Sequence, residues 1–344
     1  MKSFSSVLPV CAFILLSGCG GGAPDPTAGP LSAYRKQLDD LKDSGKLIRG
    51  AAADKLGAEG PAAKPAIPAL TEALKDQDLE VRVKAAAAIV KIDPQLHTAA
   101  LPALLEGLKS NNVEHKIIAA DAVATLGPPA KDAVPLLVEA LKDFNKDLLA
   151  KAAVALEKIG PDAAPALAEA MKVRNEAVRT VAIDVLGKLG PAVIPTLTEM
   201  LREKEDIREA AAKVLVKMGP QAVPAFTTAF KEPNRETRVF AAKYLGDLGP
   251  DSNGAAPDLV AGLKDSDTRV RLEVAKSLAK IGKGALPALA AGLKDEQEYA
   301  RVGAANVMVE IGKDAVPLLK EAAQSQNVDV KKAAEDALKK LEKK

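Results

Sequence analysis

Residues 268–287 read TRVRLEVAKSLAKIGKGALP. Val270, Val274, Leu278 and Ile281 fall at intervals of four, four and three, the spacing that lines one face of an α-helix. Gly282 follows the last of them, where a helix commonly closes on a residue able to take a positive φ. Pro287 stands five residues on, where a first helical turn has no use for its missing N–H. The same punctuation returns along the chain. Gly127, Gly160, Gly190, Gly219, Gly249, Gly282 and Gly312 are separated by 33, 30, 29, 30, 33 and 30 residues. Each is followed by a proline, at Pro135, Pro165, Pro195, Pro224, Pro257, Pro287 and Pro317. A fixed period of this size marks an internal repeat, and apolar spacings of three and four, without alternation, make both elements of each unit helices. An all-α chain without strands is expected.

Composition agrees and narrows the choices. Of 344 residues, 48% are hydrophobic and 27% charged, as in a chain that folds in water. Aromatics are 3% and Trp is absent, so the core cannot be built on large rings and small-residue helix packing takes their place. The balance of 48 basic and 46 acidic residues gives +2, without the positive excess that a nucleic-acid binder uses to displace counterions from phosphates. Two Cys and two His are too few for a closed zinc site, which takes about four such ligands. No metal and no cofactor are expected.

Aligned, the second helices give Val-Arg-x-x-Ala-Ala-x-Ala-Leu-x-x-Ile-Gly, seen at 178–190, 207–219 and 270–282 and in part from Val81-Arg82 to Ile92. This pattern resembles HEAT-like repeats of the short type found in bilin-lyase relatives, over residues 31–344. The resemblance implies a right-handed α-solenoid of about ten helix pairs, with the second helix of each pair on the concave side. Tetratricopeptide repeats fit less well, since their Trp and Tyr landmarks and fixed period are missing, and ankyrin repeats lack Thr-Pro-Leu-His. Ala85-Ala86, Ala119-Ala120, Ala152-Ala153 and Ala304-Ala305 let helix axes approach to the short end of about 8–10 Å, so ten units predict a curved, monomeric rod on the order of 90 Å long. The first unit lacks the opening Pro, and the last helix is rich in Lys, Glu and Asp, so both ends read as polar caps. An acidic residue stands six positions before the pattern arginine in five units. The pairs are Asp43 and Arg49, Asp76 and Arg82, Glu232 and Arg238, Asp265 and Arg271, and Asp295 and Arg301. We read these arginines as structural staples, donating to that carboxylate and to orphan carbonyls at the end of the first helix.

The first thirty residues carry an address. Lys2 precedes an apolar run from Val7 to Leu16, which is interrupted by Pro9 and too short for a membrane helix of about twenty apolar residues. Leu16-Ser17-Gly18-Cys19 resembles the lipobox of bacterial lipoproteins. The resemblance implies a signal peptide over residues 1–18, a lipidated Cys19 with a flexible linker over 19–30, and the solenoid over 31–344. Gly20, rather than Asp, after the cysteine implies the outer membrane where an envelope has two. Because Cys11 leaves with the signal and Cys19 takes lipid, thiol catalysis and disulfides are both excluded from the mature chain.

Little in the repeats suggests chemistry. His97 and His115 lie in different units, and no His-Glu pair is present of the kind the HEAT-like iron hydroxylases depend on. No nucleophile elbow or phosphate-cradling glycine loop occurs. Two features remain as candidate partner-binding residues. On the second helices of the fourth to eighth units, Lys158, Lys188, Lys213, Lys217, Lys243, Lys276 and Lys280 outnumber Asp184 and Asp247, and Lys213, Lys243 and Lys276 are not explained by a place in the last helical turn. Phe226, Phe230, Phe240 and Tyr244 cluster in one unit; the first two align with core leucines, whereas Phe240 and Tyr244 form either an exposed anchor or a cover over the other rings. The expected function is a non-enzymatic, membrane-anchored scaffold for a protein partner in the cell envelope. A lyase- or hydroxylase-like enzyme and a binder of an acidic envelope polymer stand as alternatives.

Overall fold

The computed structural model describes residues 31–343, so the expected signal peptide, Cys19 and the expected linker lie outside the described residues. Those described form an α-solenoid of ten helix pairs, without a strand. The pairs are α1 (Arg35–Asp40) with α2 (Lys46–Ala58), α3 (Ile67–Ala73) with α4 (Leu79–Ile92), α5 (His97–Lys109) with α6 (Val113–Leu126), and α7 (Val134–Ala140) with α8 (Lys146–Ile159). They continue with α9 (Ala164–Met171) and α10 (Glu176–Leu189), α11 (Ile194–Met200) and α12 (Glu205–Val216), and α13 (Val223–Phe230) and α14 (Arg235–Asp247). The last three are α15 (Ala256–Ala261) with α16 (Thr268–Ile281), α17 (Leu286–Gly292) with α18 (Glu298–Ile311), and α19 (Val316–Ala322) with α20 (Val328–Glu342).

The predicted punctuation is present, with one addition. Gly282 has φ +73 and Gly312 φ +88, values that ordinary side chains resist. A short 3-10 turn then intervenes before the first helix opens, with the proline at its second residue in α3, α7, α9, α11, α13, α15, α17 and α19. The starts of the second helices carry a signal that helix periodicity alone does not reveal. Asp78, Asn112, Asn145, Asn175, Asn234, Asp267 and Asn327 each cap their helix, the side-chain oxygen accepting from a backbone N–H in the first turn.

One hydrophobic cluster runs unbroken from Leu41 to Ala337. Ala85, Ala86, Ala119, Ala120, Ala152 and Ala304 are wholly buried, which agrees with close stacking through small residues; Ala153 is only half-buried, so its neighbour Ala152 makes the closer contact. The approach is closest at two points. A Cβ on Gly57 would stand 2.9 Å from the Cα of Ala88, and one on Gly246 2.8 Å from the Cα of Ser277. Second helices, which the resemblance to HEAT-like repeats implies line the inner side, pack on one another more extensively than the mostly shorter first helices do.

The arginine staples hold, but with a different carboxylate. The residue six positions earlier offers its backbone carbonyl, and the ion pair goes to the following unit. Arg49 donates to the carbonyls of Asp43 and Ser44 and, through Nε and Nη2, to both oxygens of Asp76, at 2.6 and 2.9 Å. Arg82 reaches the carbonyls of Asp76 and Gln77 and the Glu106 carboxylate. Arg238 takes the carbonyls of Glu232 and Pro233 and both oxygens of Asp265, and Arg301 those of Asp295 and Glu296 with Asp329. Arg271 keeps the two carbonyls, of Asp265 and Ser266, but lies over the Tyr299 ring in place of a carboxylate. The loop carboxylate stays beside its own turn for another reason: Asp76 accepts from the N–H of Asp78, and Asp265 from that of Asp267.

Candidate partner-binding face

The inner face is built from second-helix positions that packing leaves outward, and the predicted residues divide there. Lys213, Lys243 and Lys276 are exposed. Lys276 pairs with Glu273, Lys280 with Asp247 and Lys188 with Glu157, while Lys243 lies over the Tyr244 ring, 4.6 Å from its centroid. The three ion pairs make the lysine row less cationic than its sequence count, while among the described residues no carboxylate pairs with Lys158, Lys213 or Lys217. α12 ends at Val216, which puts Lys213 in its last turn and gives it the favourable dipole position that its place in the repeat did not suggest.

The aromatic cluster is a stack leading from core to surface. Phe226 is fully buried and lies parallel to Tyr244, centroids 5.4 Å apart, and Phe240 tilts against the other side of Tyr244 at 4.7 Å. Tyr244 is 7% exposed, which corrects its reading as an exposed anchor: the ring is held between two others and belongs to the core. Burial, with the Glu209 carboxylate hydrogen-bonded to its hydroxyl, pushes the phenol up to about 12. Phe240 is half-buried and carries the Arg208 guanidinium 5.0 Å above its ring, so it is no free-standing anchor.

That arginine marks a break in the repeat. Arg202 occupies the place that holds Asp or Glu in six other units, and it pairs with Glu199 and with Glu232 of the next unit. Arg208, the pattern arginine of the same helix, therefore has no carboxylate; Nη1 donates to Thr237 at 3.2 Å, and Nε is buried without a partner. Lys204 stands where other units have a capping Asp or Asn, and it provides no side-chain cap. The backbones of α12 and α14 approach less closely than those of α14 and α16, and side chains bridge them, Arg208 to Phe240 and Thr237 and Glu209 to Tyr244. A groove of about 900 Å³ opens at this joint, lined by Arg208, Glu209, Glu236, Val239, Phe240 and Lys243 among others.

A second groove, of about 790 Å³, crosses α16, α18 and α20. Its floor includes Leu272, Ala275, Ala279 and Val307. Neither groove was legible in the sequence, because each depends on how far apart neighbouring second helices stand.

Among the described residues no group of His, Cys, Asp and Glu is arranged to hold a metal ion, and no helix is long and apolar enough to cross a membrane. His115 is half-buried, its Nδ1 3.1 Å from the Ser110 hydroxyl. The family model of HEAT repeats matches seven times, at residues 35–114, 101–175, 134–216, 165–233, 194–270, 223–298 and 256–339. No curated protein matches the chain. Similar solved structures include the karyopherin Kap121p bound to Nup53p, at 15% identity over 93% of this chain with a TM-score of 0.47, and Kap121p bound to the SUMO protease Ulp1p, at 15% over 93% with 0.46. The chain spans 42% of the length of each.

Proposed function

From the premise that the chain belongs to the HEAT-repeat family, we propose that it is a non-enzymatic scaffold that binds a protein partner through the inner, second-helix face. The observation that carries this reading is the groove at the joint of α12 and α14, where the buried Arg208 Nε has no acceptor and Val239 and Phe240 lie among five carboxylates and two lysines. A protein surface supplying an acceptor for Arg208, apolar contact and basic side chains for the carboxylates would satisfy such a groove. The repeat is of the short, bilin-lyase-like type, and the solenoid is a monomeric rod.

The molecule acts in a bacterial cell envelope. Residues 1–18 are a lipoprotein signal, Cys19 carries the lipid, residues 20–30 are the tether, and the outer membrane is the destination in an envelope with two membranes. The motif Leu16-Ser17-Gly18-Cys19 supports this part of the reading. Two or three acyl chains, at about 0.8 kcal/mol per buried methylene, anchor a protein permanently.

The test is affinity capture from native envelopes, with the wild-type protein beside a variant carrying Lys213→Glu, Lys243→Glu and Lys276→Glu. A protein retained by the first and lost by the second, while the two melt alike, is the expected result. Equal retention would remove the interface from this face, and no specific retention by either would remove the protein scaffold. Labelled palmitate entering wild type but not Cys19→Ser would establish the anchor; label in neither would refute it.

A further inference from the structure

The groove across α16, α18 and α20 differs from the one at the joint. Its floor is aliphatic, and Leu272 is left 58% exposed above it. One unit on, Val302 stands at the register of Leu272 and is 44% exposed. Elsewhere on the second-helix layer that register holds polar or small residues such as Gly50, Thr180 and Glu209, or aliphatic ones that are buried or half-buried, Val83, Ile117 and Val239, so it is the exposure of the aliphatic pair that is particular to this end of the molecule. Leaving such side chains in water forgoes roughly 1.5–3 kcal/mol each of burial, which marks the strip as a surface with something to cover it.

The rim has the opposite character. Lys276, Lys340 and Lys343 line it against the single carboxylate of Glu310, which is itself engaged. Lys276 is 68% exposed and holds Glu273 at only 3.4 Å, and Lys340 donates to the neutral amide oxygen of Asn306. These ammonium groups can take a new carboxylate without losing a strong one. Three successive second helices set roughly 8–10 Å apart make a floor about 16–20 Å across, wide enough to seat a helix of about 10–12 Å diameter.

We propose that this groove docks an amphipathic helix of the protein partner, its apolar face on Leu272, Ala275 and Ala279 and its flanking Asp and Glu side chains on the lysine rim. The recognition is helix in groove, with aliphatic contacts giving affinity and the rim giving charge selection. This rests on the reading of the inner face as partner-binding and narrows it to one segment and one chemistry.

The experiment uses the full chain and three fluorescein-labelled synthetic peptides of about 18 residues. The first has Leu at helical spacing flanked by Glu, the second replaces each Glu with Lys, and the third scrambles the first. Fluorescence anisotropy is expected to show binding of the first peptide and binding at least about tenfold weaker for the other two. Leu272→Asp, at an exposed position that folding does not need, is expected to weaken the first peptide by about tenfold or more with an unchanged melting temperature. Lys276→Glu with Lys340→Glu is expected to reverse the preference between the Glu and Lys peptides. No binding of the Glu peptide, or binding indifferent to Leu272→Asp, overturns the proposal. Envelope capture separates the two levels: a partner held equally by wild type and Leu272→Asp, with no peptide binding, sinks this groove and leaves the scaffold; selective peptide binding without any captured protein supports the groove and sinks the envelope scaffold.

Discussion

Asp76 does three things at once. Its carbonyl receives Arg82, its carboxylate closes its own turn on the N–H of Asp78, and the same carboxylate receives both arms of Arg49 from the preceding unit. The hydrogen bonds from Arg49 hold its carboxyl below the usual carboxylate range, against an opposing effect of burial. A lowered folded-state value means that this carboxylate stabilises the fold above the unfolded value of about 3.9 and loses that contribution as pH falls through the lower one. Asp76→Asn should therefore melt below wild type by a constant margin from about pH 7 to 5, and the two curves should converge below about pH 4. A margin that persists in acid would show that the charge is not what matters. The sequence displayed the constant offset of six between acid and arginine but not its meaning. An offset of that kind arises equally from a carboxylate that faces its own arginine and from one that closes the loop while its carbonyl does so. Only the position of the next unit decides which.

At the scale of the element, helix periods and their glycine and proline boundaries were readable because they depend on local backbone preference. The caps at Asn145 and Asn234 were equally local, and the Asp or Asn recurring just ahead of seven of the second helices was the available signal. What was not readable was how near one helix comes to the next, and glycines separate the two cases. Replacing a helical Gly with Ala gains about 1 kcal/mol of propensity wherever a methyl fits. Gly187 faces open space, where an added methyl would meet only Val214 at 4.0 Å, whereas at Gly57 it would press on the backbone of Ala88 at 2.9 Å. Gly187→Ala should raise stability by about 0.5–1 kcal/mol, and Gly57→Ala should lower it by about 1–2 kcal/mol once overpacking exceeds the propensity gain. Urea melts of the two variants check both signs, and equal shifts would show that α2 and α4 have room for a methyl between them. The Tyr244 ring belongs to the same lesson. Its position in the repeat allowed either an anchor or a cover, and the choice fell to Phe226 and Phe240, which meet it from either side.

Across the whole molecule the stacking is uneven. Solenoid stability is a sum of units and the interfaces between them, and the backbones of the second helices stand further apart from α8 to α14 than from α4 to α8 or from α14 to α16. Hydrogen exchange should find the amides of α12 less protected than those of α4 or α16, since its start lacks a side-chain cap and the backbones of its neighbours stand further off. Uniform protection from α10 through α16 would refute the weak joint.

The exchange of partners between Arg202 and Arg208 has a mechanical consequence. Units joined end to end behave as springs in series, and under load the extension gathers in the most compliant one. A pull between the two ends of the solenoid would pass through nine junctions and be absorbed chiefly at those without an arginine–carboxylate staple, the joint of α12 and α14 among them. Between the stiff arms on either side, the angle at that joint would follow the load, and the groove it frames would widen or close with it.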